Sequence, residues 1–183
     1  MDDTTSRTAP EAGGPLLVLV GPMGSGKTTV AHLLAAAWGV EARDTDADVE
    51  AAEGRPIPEI FVDSGEAEFR RLEAAAVAAA LTEHDGVLAL GGGAVLDPAT
   101  RERLAGHQVV FLRVGLGDAV KRVGLGTSRP LLLGNVRGRI KTLLDERAPV
   151  YESVATITVD TDGRTPEEVA REIDERLGRR VRP

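Results

Sequence analysis

The stretch Leu16–Val30, LLVLVGPMGSGKTTV, constrains this chain more than any other: an apolar strand, a glycine-rich turn and the opening of a helix follow one another directly. Gly21, Gly26, Lys27 and Thr28 fit the spacing G-x-x-x-x-G-K-[ST], and the strand before and helix after supply the context in which that spacing cradles phosphate. An anion with several charges in a small volume needs many N–H donors at close range and no side chains in the way, which glycine permits. Backbone amides around Gly24, Ser25 and Gly26 would form an anion nest, and the helix that begins near Lys27, Thr28 and Thr29 points its positive dipole end at the same place. Lys27 adds a mobile point charge for the β and γ phosphates, and the Thr28 hydroxyl is placed to ligate Mg²⁺. A nucleoside triphosphate is the predicted ligand.

The bulk composition narrows what else is possible. At 183 residues one domain is the default, and it is large enough to bury a core without disulfides. Cysteine is absent, so disulfides, thiolate metal sites and cysteine nucleophiles are excluded and a reducing, cytoplasmic setting is expected. No stretch approaches the ~20 apolar residues of a membrane span, and the start of the chain carries no apolar signal core. The net charge of −7 would repel nucleic acid, and only three Phe, one Tyr and one Trp are present to stack on bases. An anionic ligand must therefore be held by a local cation cluster working against the global field.

Residues 1–14 read as a disordered polar tail, and residues 15–183 as a single domain that is expected to be monomeric. Strands are predicted at 15–20, 40–43, 86–90, 108–114 and 155–160, and helices at 28–38, 46–53, 57–62, 65–82, 98–105, 117–123, 135–151 and 166–178. Asp63 and Glu66 have capping-box spacing ahead of the 65–82 helix, the sequence RAP suggests a break near Arg147, and Thr165-Pro166-Glu167-Glu168 reads as a second capping box. The segment GLGTSRPLLLG within 124–135 has no regular period and reads as a mobile lid. Short apolar strands alternating with helices predict an α/β fold, a parallel sheet with helices on both faces. Ligands of such sheets sit beyond the carboxyl ends of the strands. Those ends carry the phosphate loop, Asp44 and Asp46, Gly91–Gly93, and the lid with Arg129.

Asp44 and Asp46 can project to one side of the crevice, one completing the Mg²⁺ shell beside Thr28 and the other accepting a proton from an attacking hydroxyl. Arg70, Arg71 and Arg147 would ordinarily be solvated surface, yet a carboxylated substrate needs the planar two-point donors that arginine supplies. Gly91, Gly92 and Gly93 offer backbone amides beside a small molecule, and Arg122 and Arg129 flank the lid. His32, His84 and His107 lack metal-ligand spacing.

GPMGSGKTT (21–29), DTD (44–46), FRRLE (69–73), GGGA (91–94), SRPLL (128–132), RAPVY (147–151) and DGRTP (162–166) occur in order over nearly the whole chain, and together they resemble the shikimate kinases. The resemblance implies an adenylate-kinase-like, three-layer fold of five parallel strands in the order 2-3-1-4-5, and transfer of the γ-phosphate of ATP to the 3-hydroxyl of shikimate. It implies that Thr28 and Asp44 serve Mg²⁺, Asp44 through water, and that Asp46 contacts the substrate hydroxyls as the candidate base. Arg70 and Arg147 would hold the carboxylate with Gly91, Gly92 and Gly93 lining the pocket. Lys27 and Arg129 would neutralise the phosphoryl group in flight, and Arg122 and Arg164 would lie along the adenine. Rival readings are another small-molecule kinase of the same fold, for gluconate or a nucleoside monophosphate, and a non-catalytic nucleotide-binding regulator.

Overall fold

The computed structural model describes residues 13–124 and 135–178; residues 1–12 of the predicted tail and 125–134 of the lid, Arg129 among them, lie outside the described residues. Strand β1 (Leu17–Val20) is buried at every position, and the chain then turns through the phosphate loop into α1 (Lys27–Trp38). Gly21 has φ +153°, and a Cβ there would stand 2.7 Å from the Leu112 carbonyl oxygen, so this first turn accepts only glycine. Gly39 ends α1 in the left-handed conformation, with the Val40 N–H bonded to the Ala35 carbonyl at 3.0 Å.

Val40 is thus part of the helix stop, and the second strand, expected at 40–43, is displaced to β2 (Ala42–Asp44). Helices α2 (Thr45–Glu53) and α3 (Ile57–Glu83) follow. The two helices expected at 57–62 and 65–82 are one element with a kink at Gly65, whose φ of 82° and ψ of 168° favour glycine. Asp63 does not form the expected capping box; its carboxylate is engaged by Arg55 Nη1 at 3.1 Å.

Next come β3 (Val87–Ala89), a 3₁₀ turn (Ala94–Leu96), α4 (Pro98–Leu104) and β4 (Val109–Arg113). The described chain finishes with α5 (Leu116–Gly124), α6 (Val136–Val154), β5 (Ile157–Asp160) and α7 (Pro166–Arg176). The predicted break near Arg147 is absent, and α6 runs through Pro149. Pro149 sits on the exposed face, where water can take up the Asp145 carbonyl it leaves unserved. The capping box of α7 is present on both sides, Thr165 and Glu168 each receiving the other's backbone N–H.

The five strands are parallel in the order β2-β3-β1-β4-β5, as the resemblance implied. One face packs Leu17, Leu19, Val110 and Leu112 against α1 and α7 through Val30, Leu34, Val169 and Ile173. The other packs Val18, Val20, Leu88 and Phe111 against α3, α4 and α6 through Val77, Leu81, Leu104 and Tyr151. Smaller cores join α5 to α6 around Ile140, and α2 to α3 around Val49, Ile60 and Phe69. No described helix is long and apolar enough to cross a membrane.

Candidate active site

The carboxyl ends of β1, β2 and β3 meet at one edge of the sheet because β3 lies between β2 and β1. The loop 21–26 leaves β1 there, and Lys27 Nζ folds over it to donate to the carbonyls of Gly21 at 2.8 Å and Pro22 at 3.0 Å. Gly24 sits under α5: a Cβ at Gly24 would lie 3.2 Å from Val123 and 3.5 Å from the Arg122 Cβ. Arg122 clamps this contact, donating to the Gly24 carbonyl at 3.0 Å and to the Thr161 carbonyl at 2.9 Å. Arg164 bonds the Asp160 and Glu168 carbonyls and Glu172. Both arginines border the 160–165 turn beside the phosphate loop.

Asp44 ends β2 and performs two tasks at once. Its Oδ1 accepts the N–H groups of Asp46 at 2.9 Å and Ala47 at 3.4 Å, capping α2, while its Oδ2 accepts the Thr28 hydroxyl at 2.6 Å. Two hard oxygens this close, at the mouth of an anion nest, match the donor set of Mg²⁺, which takes few protein ligands and leaves room for phosphate and water. Among the described residues no group of three or more His, Asp or Glu could form an all-protein metal cage. His84 is buried against the Val87 carbonyl at 3.1 Å, a structural role.

The triple glycine after β3 draws the remaining predicted residues together. A Cβ at Gly91 would come within 2.4 Å of Asp46 Oδ1 and 2.8 Å of Glu73 Oε2; one at Gly93 would fall 2.2 Å from Arg70 Nη1. One at Gly92 would face the Met23 amide of the phosphate loop at 3.4 Å. Asp46, Arg70 and the phosphate loop therefore each abut the same glycine turn. Arg147 joins them from α6, 6% exposed. Arg71, by contrast, pairs on the surface with Glu68, which its guanidinium holds below the usual carboxylate range.

Three residues without a predicted role complete the cluster. Thr45, fully buried, accepts the Gly91 N–H at 3.1 Å and ties the aspartate turn to the glycine turn. Glu73, 3% exposed, accepts Arg70 Nη1 at 2.8 Å. Burial pushes its carboxyl pKa up, against the pull of Arg70 and then Arg147. Tyr151, 1% exposed, donates its hydroxyl to the Gly92 carbonyl and is stacked on Phe111 with ring centroids 5.0 Å apart. Burial raises its phenol to about 12, opposed by the positive charge of Arg147. All three lie inside the quoted segments DTD, FRRLE and RAPVY, which was the available signal.

The shikimate kinase family model matches residues 23–178. The chain belongs to the shikimate kinase family. The shikimate kinase of Salinispora arenicola is 64% identical over 159 residues, 87% of this chain and 95% of that protein; that of Thermobifida fusca is 56% identical over 163 residues, 89% and 95%. Among solved structures, shikimate kinase from Acinetobacter baumannii in complex with shikimate superposes with a TM-score of 0.86 at 34% identity, covering 94% of this chain and 97% of that one. A gluconokinase from Sinorhizobium meliloti, at 20% identity and a TM-score of 0.53, shares the fold alone.

Proposed function

We propose that this shikimate kinase transfers the γ-phosphoryl group of ATP to the 3-hydroxyl of shikimate, with Asp46, Arg70 and Arg147 as its acceptor subsite. The observation that carries the reading is the meeting of Asp46, Glu73-held Arg70 and Gly91–Gly93 against the phosphate loop. Two arginines supply planar donors for the ring carboxylate, and Asp46 stands on the same turn to take the hydroxyl proton. The freed oxygen attacks the γ phosphorus, the bond to the β–γ bridging oxygen breaks, and ADP leaves with that electron pair. The nest at Gly24, Ser25 and Gly26, with Thr29 in the first helical turn, holds the phosphates. Lys27 and Arg129 offset their charge, while Arg122 and Arg164 border the base. Thr28 and Asp44 would hold Mg²⁺, which supplies charge neutralisation at the β and γ phosphates. Such transfer requires mainly alignment and preorganised charge, both of which a rigid turn beside a nest provides.

The test is ADP release from Mg²⁺ATP with shikimate, gluconate or a nucleoside monophosphate as acceptor. Shikimate is expected to stimulate turnover strongly and Asp46→Asn to abolish it. Turnover driven by gluconate or a nucleotide but not by shikimate overturns the reading. A monomer in the cytoplasm is the proposed state, and size-exclusion chromatography of the purified chain checks the first half.

A further inference from the structure

Asp46 is carried at the edge of the sheet. Strand β2 is three residues long and is the outermost strand, and its register with β3 ends at the pair Asp44 and Ala89. Beyond that pair the chain turns away into α2, with Asp44 as its cap. Thr45, the first residue of α2, reaches back to the neighbouring strand's end: fully buried, its hydroxyl oxygen accepts the Gly91 N–H at 3.1 Å. Gly91 is a fixed point. Leu90, just before it, donates its N–H to the Leu19 carbonyl of the central strand β1 at 3.0 Å, and the Gly91 carbonyl accepts the Ala94 N–H at 3.1 Å. Asp46 Oδ1 stands over the same glycine, so near that a Cβ there would come within 2.4 Å of it. One buried glycine therefore meets Thr45 through its N–H and Asp46 at its Cα.

We propose that Thr45 is a positioning residue for phosphoryl transfer, its hydroxyl holding the first turn of α2 against Gly91 and so setting where the Asp46 carboxylate stands. A branched Cβ has few χ1 choices, and a buried hydroxyl bonded to a fixed amide keeps one of them. Asp46 follows Thr45 directly in the chain, so the bond fixes the backbone from which the carboxylate projects. Being fully buried, Thr45 acts through Asp46 and not on the substrate itself. Losing the hydroxyl leaves the buried Gly91 N–H without its acceptor, and the turn relaxes to find another. The carboxylate moves with the turn. The effect therefore falls on the transfer rate and not on nucleotide binding, whose nest is built from the loop after β1. This inference rests on Asp46 acting as the base.

The test sets Thr45→Val, which keeps the branched shape without the hydroxyl, beside Thr45→Ser, which keeps the hydroxyl. Both are made in the full chain and assayed well below their Tm by ADP release, giving kcat, the KM for ATP and for shikimate, and the Mg²⁺ concentration at half-maximal rate. Thr45→Val is expected to lower kcat about tenfold, a part of the roughly 100-fold that a 1 Å misplacement costs. Its KM for ATP and its Mg²⁺ requirement are expected to change by less than about twofold, and Thr45→Ser to keep kcat within about threefold of wild type. A Thr45→Val kcat within about twofold of wild type, or an equal loss in Thr45→Ser, overturns the proposal. So does a matching rise in the KM for ATP or in the Mg²⁺ requirement, which would place the effect on the phosphate loop or on Asp44. Should the valine variant not fold, Thr45→Ala is read by the same criteria, and failure of both to fold overturns the proposal because the residue is then structural. Asp46→Asn run alongside separates two failures. Turnover retained there sinks the base reading and this inference with it, whereas turnover lost there but held in Thr45→Val sinks this inference alone.

Discussion

Alanine placed at each of the three glycines in turn should divide the kinetics by ligand. None of Gly91, Gly92 or Gly93 has a positive φ, so alanine meets no backbone penalty and the result reads side-chain contact alone. At Gly91 the new methyl would stand 2.4 Å from Asp46 Oδ1 and 2.8 Å from Glu73 Oε2. Ordinary carbon–oxygen contacts lie at about 3.3–3.6 Å, so the Asp46 carboxylate must retreat by about 1 Å. Glu73 is pinned by Arg70 and cannot share the movement. A displacement of that size at the proton-accepting group lowers kcat about 100-fold, and the overpacking costs about 1–3 kcal/mol of stability. At Gly93 the methyl would meet the Arg70 guanidinium at 2.2–2.6 Å. This is the mobile end of a long side chain, so the fold yields easily and the KM for shikimate rises about tenfold with ATP unaffected. At Gly92 the nearest atom is 3.4 Å away and the substitution should be tolerated by the free enzyme. Steady-state ADP release with each substrate varied in turn gives the three profiles. A Gly91→Ala enzyme with kcat within about threefold of wild type, or a Gly93→Ala enzyme impaired for ATP instead of shikimate, refutes the placement.

The chain's single tyrosine makes its ionisation directly visible as tyrosinate absorbance, and the midpoint is expected near 12 instead of the usual 10. Because the folded state holds this proton more tightly than the unfolded one, its stabilisation is whole below pH 10 and is lost as pH rises to 12. The loss amounts to about 3 kcal/mol, and urea titrations of Tyr151→Phe should lack that component. Gly65→Ala places a side chain at φ 82° with nothing within 4 Å, so it tests backbone strain alone, expected at about 1–3 kcal/mol by thermal unfolding. Arg70→Lys keeps the charge but loses the two-point fork; the KM for shikimate should rise well above any change for ATP, and equal rises would contradict the carboxylate role.

Strand count, helix alternation and the aspartate, arginine and glycine segments were all legible, because each is a local pattern: an apolar run, a cap, a turn. The strand order came with the family resemblance, since pairing between distant segments leaves no periodic mark. What the pattern misplaced, local chemistry explains. Val40 looked like strand but spends its N–H on the stop of α1. RAP looked like a break, yet α6 runs on because Pro149 lies on its exposed face, where water can take up the carbonyl it leaves unserved. Glu73 carries no local mark of burial, which became visible only when α3 was laid under the turn after β3. Thr45 likewise acquires its role from Gly91, 46 residues away in sequence.

The double duty of Asp44 binds two properties that are usually separable. One oxygen terminates the helix that carries Asp46; the other faces the hydroxyl next to the nest. On the proposed roles, most substitutions that weakened cation affinity here would also fray the first turn that carries Asp46; asparagine, which caps a helix as well as aspartate, is the one that would separate the two.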